Sequence, residues 1–202
     1  MSRLEWMLSG LLALAIVALV IAALIFWGPG GSVSFGSDSG PLTPQTAQSA
    51  FRLAEDAARQ WSDDAQLLRA QASWPEGRTF APSGANWGFL FTSRRQAANA
   101  LFSVTGGQVR LVRTTDARAN PEPAHIEAWQ VDSDSVLQKV MANGGQTFVE
   151  AHNRVILSMV LDATEQLQWQ ARLVDLENQE IFTMQLDPIS GAIVATSSPG
   201  GE

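Results

Sequence analysis

Asp132-Ser133-Asp134-Ser135 is the segment whose residue types and spacing come nearest to metal chemistry, with calcium as the natural ligand. A calcium loop of the EF-hand kind needs oxygen ligands at positions 1, 3 and 5, glycine at 6 and an acid at 12. Counted from Asp132, the last three of those positions hold Val136, Leu137 and Asn143. The same segment fits a helix start better. Asp132 or Ser133 can cap, Asp134 suits the positive amino end, and Val136, Leu137, Val140 and Met141 make one apolar face. Asn143-Gly144-Gly145 then predicts a stop.

The other chemistry-bearing residues are sparse. His125 follows a proline-rich loop and His152 ends the second helical region, and neither has a histidine or cysteine partner at metal-ligand spacing. Surface and capping roles are expected for them. Gly36-Ser37-Asp38-Ser39-Gly40 places Asp, not Ser, at the centre required of a nucleophile elbow. Gly28-Pro29-Gly30-Gly31 lacks the Lys-Ser/Thr that completes a phosphate loop. The acid pairs Asp63-Asp64 and Glu177/Glu180 read as solvated turn residues. No catalytic residue, metal ligand or cofactor site is expected.

Composition narrows the class further. A net charge of −7 disfavours nucleic acid, which calls for a basic footprint. Zero cysteine removes thiolate catalysis, disulfides and zinc–cysteine sites. Lys139 is the single lysine beside many arginines, a balance typical of a GC-rich bacterial genome. Residues 7–27 carry no charge and, at about 1.5 Å per residue, span roughly 31 Å as a helix, close to a bilayer core of about 30 Å. Trp6, Phe26 and Trp27 flank the run as interface aromatics. The run is longer than the apolar region of a cleaved signal. Arg3 precedes it and no basic residue follows until Arg52, so the amino terminus is expected inside and the rest of the chain outside.

The elements that must position everything else follow from periodicity. Residues 29–42 are Gly/Ser-rich and read as a flexible linker. Thr43-Pro44 signals a helix start, and Ala47, Ala50, Phe51, Ala54, Ala58 and Trp61 form a stripe at steps of three and four. Ser62-Asp63-Asp64 ends it. Alternation then predicts strands through Leu68–Trp74 positions, through Trp87, Phe89 and Phe91, and in a hairpin around Thr105-Gly106-Gly107. Residues 126–131 read as a short strand. Alternation returns at Val155 to Leu161, at Leu167, Trp169, Ala171 and Leu173, and at Phe182, Met184 and Leu186. Asp187-Pro188-Ile189-Ser190-Gly191 is a turn before a last strand.

This order occurs twice: helix, strand, strand, hairpin. Trp87 and Trp169 occupy matching places, as do Gly107 and Gly191. A strand ending at Trp129, then Asp132, Ser133 and Asp134, a short helix, Gly144, Gly145 and Phe148 resembles PepSY-like domains. The resemblance runs on through Trp169, Asp187 and Gly191, covering residues 126–196, while residues 43–115 match in order and spacing alone. It implies small extracytoplasmic α+β modules, often tandem and membrane-tethered, regulatory or ligand-binding in role, some of them restraining peptidases. It supplies no catalytic residue.

The expected architecture is α+β: a transmembrane anchor at 1–28, the linker at 29–42, and two helix-plus-antiparallel-sheet repeats at 43–118 and 124–197. The expected role is a non-catalytic, extracytoplasmic binding module of the bacterial cytoplasmic membrane, an accessory subunit held by integral-membrane or envelope proteins. The alternatives are a peptidase regulator presenting residues 113–123 and an enzyme built on His152 with a carboxylate. Seven tryptophans without a tyrosine stand out. Trp61, Trp74, Trp87, Trp129 and Trp169 fall on apolar sides, either as core or, for Trp74, Trp87, Trp129 and Trp169, as candidate partner contacts.

Overall fold

The computed structural model describes residues 34–35, 46–81, 85–117, 123–164 and 166–199, all within one compact unit, Val33–Glu202. The expected membrane segment, with Trp6, Phe26 and Trp27, lies outside them. Among the described residues no helix is long and apolar enough to cross a membrane.

The first helix, α1, covers Ala47–Trp61. Its cap is Thr46, not Thr43; the Thr46 hydroxyl accepts from the Ser49 N–H at 3.4 Å. Ala47, Ala50, Ala54, Ala57 and Ala58 are buried, and so many small side chains let the helix lie close on the sheet. The predicted strand at 126–131 is a 3-10 turn, Ile126–Ala128. Its following N–H groups, those of Gln130 and Val131, both donate to the Pro188 carbonyl, so a ladder has no donors to use. Helix α2, Ser133–Val140, starts at the Asp132 cap as the spacing predicts. The predicted stop is a kink instead. Met141–Gly145 forms a wide turn in which Gly144 takes φ 110°, and helix α3 continues through Gln146–Ala151. Phe148 and Val149 are buried on α3, so continuing the helix adds apolar cover that stopping would forgo.

Among the described residues nine strands form one antiparallel sheet: β1 (Ser34–Phe35), β2 (Gln66–Trp74), β3 (Asn86–Ser93), β4 (Ala98–Thr105), β5 (Gln108–Asp116), β6 (Val155–Asp162), β7 (Gln168–Asp175), β8 (Ile181–Leu186) and β9 (Ile193–Ser197). Their order is β1-β5-β4-β3-β2-β6-β7-β8-β9. Each copy is thus a helix followed by a four-stranded meander, and the two meanders meet edge to edge through β2 and β6.

The register makes this junction a pseudo-twofold. Ala72 lies opposite Trp87 and Leu161 lies opposite Trp169, so Ala72 corresponds to Leu161. By the same step Ala70 corresponds to Met159. The observed pairs Ala72–Met159 and Ala70–Leu161 exchange with each other under that correspondence, and Gln71 pairs with its own equivalent, Val160. The axis therefore passes through the Gln71–Val160 pair. The core follows it: a single cluster runs across both copies under the helices, from Val104 and Phe102 to Met184 and Leu186.

Candidate binding surface

The helices sit on one side of the sheet, and alternation assigns each strand residue to that side or to the other. The four candidate tryptophans belong to the helix side. Trp74, Trp87, Trp129 and Trp169 are all buried. Trp87 and Trp169 meet across the pseudo-twofold with ring centroids 6.4 Å apart, edge to face, and Trp129 packs on Trp169 at 5.8 Å. The indole N–H of Trp74 donates to Ala81 O at 2.7 Å, and those of Trp129 and Trp169 both donate to Val131 O, at 2.8 and 2.9 Å. Buried aromatics with their donors engaged inside the fold are core residues. Their candidacy as exposed contacts is corrected accordingly. Trp61 packs against the same core, partly buried.

The histidines separate. His125 is exposed beside Glu127 at 3.9 Å. His152 closes α3: its Nδ1 lies 2.7 Å from Phe148 O and its Nε2 lies 3.0 Å from Glu180 Oε2. The hydrogen bond to the Phe148 carbonyl, with help from Glu180 and Asp175, raises its pKa against the opposing effect of burial. Both ring nitrogens therefore have partners within hydrogen-bond distance, one a backbone carbonyl of α3 and the other an exposed carboxylate. Among the described residues there is no group of three or more His, Asp and Glu placed to hold a metal ion. Of the two acid pairs, Asp64 is structural: it accepts from Ser93, Ser62 and the Arg95 N–H, in that order of effect, and its pKa falls to about 2.

The side away from the helices holds what remains. Its rows can be read along the ladder. One runs Arg110, Ser103, Gly88, Gln71, Val160, Gln170, Gln185. A second runs Arg113, Leu101, Leu90, Arg69, Asp162, Gln168. A third runs Ser73, Ser158, Arg172, Thr183. Nothing in the described chain covers this side, and antiparallel sheets tolerate such exposure.

Its charge is distinctive. The charged strand residues facing it are Arg69, Arg110, Arg113, Arg172 and Asp162. Four arginines and one aspartate give +3 within a chain of −7, leaving −10 for all other residues. Arg69 pairs with Asp162 at 2.8 Å. Burial pushes the Asp162 carboxyl up, but bonds from Thr164 and Arg69 outweigh it and hold the pKa below its ordinary value. Among the described residues Arg172 has no carboxylate within ion-pair distance. Partial burial alone lowers its pKa; Ser158 and Thr183 lie opposite it, and Gln170 and Val174 flank it on its own strand.

The alternation of Gln168, Gln170 and Arg172 and of Arg69, Gln71 and Ser73 already marks this face in the sequence. What alternation cannot supply is that the two meanders share one sheet, which assembles the four arginines on one surface. Comparison with protein-family models, with curated proteins and with solved structures finds no match for this chain.

Proposed function

We propose that the chain is a non-catalytic, membrane-anchored module on the extracytoplasmic side that binds a partner protein, serving as an accessory subunit of a larger membrane complex. The observation that carries this reading is the open sheet face, cationic within an anionic protein. Charge segregation of this kind favours encounter with an acidic surface and penalises wrong orientations. Arg172 is the natural centre. It is partly withdrawn from water, has no carboxylate within ion-pair distance among the described residues, and presents a planar donor fork suited to one. Glutamines and aliphatic residues around it supply the mixed polar and apolar contacts of a protein interface. The length and lack of charge of residues 7–27 support the anchor, and the PepSY resemblance supports the extracytoplasmic, non-catalytic role.

The test places a photo-crosslinking residue at Gln170 on the open face or at exposed Gln138 on α2, in the full chain in native membranes. The expected result is a single membrane-protein adduct from position 170, attached through an Asp/Glu-rich segment and weakened by salt, with none from position 138. Equal labelling from both positions, or none from 170, overturns the reading.

A further inference from the structure

The two outer edges of the sheet are built differently. β5, the last strand of the first copy, is paired at one end: Ser34 and Phe35 pair with Arg110 and Val109. β9, the last strand of the second copy, has no strand beyond it in the described sheet. The register equates Val109 with Ile193, since Val109 lies opposite Val104 and Ile193 lies opposite Leu186, and Trp87 pairs with Val104 as Trp169 pairs with Leu186. Val109 is buried at 4%, whereas Ile193 is 42% exposed.

Exposed apolar side chains gather at this edge. Among the described residues the exposed large hydrophobics are Ile181, Ile189, Ile193 and Val194, at 36, 48, 42 and 59%. All four belong to β8, β9 or the turn between them. Every residue of β9 is exposed. Natural edge strands are guarded by charge, proline, a bulge or extreme shortness. β9 has one such guard, a bulge at Val194, where the pairing steps from Gln185–Ala195 to Leu186–Ile193. The rest of Ile193–Ser197 has no charge and no proline.

We infer that β9 pairs antiparallel with β9 of a second copy, making a twofold dimer with one sheet running through both. Three features favour a second copy as the occupant. A chain of net charge −7 repels its own kind over most of its surface, and β9 is a strip where two copies meet without charge. A twofold antiparallel junction is already the way this fold joins β2 to β6. β5 is paired by β1 at one end and carries Arg113 and Asp116 along the rest, so the uncharged β9 is the edge suited to self-pairing, and one such edge per copy closes the assembly at two. Ile193 and Val194 then gain cover from β9 of the other copy.

The chain has no cysteine, so introduced thiols report alone. Single cysteines at positions 193 to 197, with Thr114→Cys on β5 as control, are oxidised in the full-length detergent-solubilised protein, and mass is followed by sedimentation equilibrium. The expected result is disulfide-linked dimer strongest at the one β9 position on the twofold axis and falling away on either side, none at 114, and a dimer mass for the unmodified protein at high concentration. Val194→Asp lowers the association constant by about tenfold or more while leaving the circular dichroism of the dilute, monomeric protein unchanged, because it puts a charge on the uncharged edge strand. A monomer at every concentration, equal crosslinking at all five positions, or thiol adducts formed with a different protein instead of a second copy each overturns the inference.

Discussion

The Asp132 carboxylate accepts the backbone N–H of Gln48, from the first copy's helix, at 3.0 Å, while also accepting the N–H of Ser133 at 2.7 Å in its own. Beside it, Ser133 Oγ accepts the Ala47 N–H at 2.9 Å. Residues at the start of α2 therefore cap α1 as well. Two helix amino ends, each with orphan N–H groups and a positive dipole end, share one acid.

Asp132→Ala should cost about 2 kcal/mol, the upper end for a cap, because two helices lose an acceptor. Asp132→Asn, which keeps a side-chain oxygen, should cost less than half as much. Ser133→Ala should cost about 1–3 kcal/mol, since it strands a buried Ala47 N–H. Urea unfolding of the three variants decides this. Equal, small losses for Asp132→Ala and Asp132→Asn would remove the shared cap.

The glycines at the helix kink divide by geometry. A Cβ at Gly145 would stand 2.6 Å from Val140 O, and one at Gly144 would stand 3.0 Å from the Phe182 ring on a backbone at φ 110°. Each alanine substitution should cost roughly 1–3 kcal/mol. Gly88→Ala, whose nearest neighbour would be Gln71 at 3.5 Å, should be nearly neutral. Thermal melts of the three variants test the ordering.

Ala72 lies between Trp87 and Met159, where its pseudo-equivalent is Leu161. Ala72→Leu would make the two copies alike there but should destabilise by about 1–3 kcal/mol through overpacking. A neutral result would show that the tryptophan cluster repacks freely.

His152 sets a pH dependence. Its folded pKa is raised above 6.5 by the Phe148 carbonyl first, then by Glu180 and Asp175. The stability it contributes is therefore fully present below about pH 6.5 and is lost as pH rises through the folded value. Melting temperature should fall across that window and flatten in His152→Ala. NMR titration checks the cause: the His152 ring should titrate above 6.5, and titration below it would sink the explanation.

Much of this fold was legible because burial imposes period on sequence. The alanine stripe of α1, the alternation of β6 to β8, the Asp132 cap and the helix–strand–strand–hairpin order all follow from side chains facing one way. Four things were not. Gly144 and Gly145 carry the same stop signal whether a helix ends or kinks, and the burial of Phe148 decides. Residues 126–131 read as a short strand, yet Ile126–Ala128 forms a 3-10 turn and the N–H groups of Gln130 and Val131 go to Pro188. The tryptophans suit a core or an interface equally by period, and the closure of one core over both copies settles their place. The arginine face needed strand order, which no local pattern encodes.

The β2–β6 junction also shapes how the chain folds. Within each meander every strand pairs with its neighbour in sequence, so each can form through short loops. Joining β2 to β6 closes a loop of roughly 90 residues, an entropy cost of about 4 kcal/mol plus a constant, which only a formed core can offset. The transition state should hold one meander and its helix already built. Mutations at Ala70, Ala72, Met159 and Leu161 should then alter unfolding rates more than folding rates, as expected of a seam that closes last.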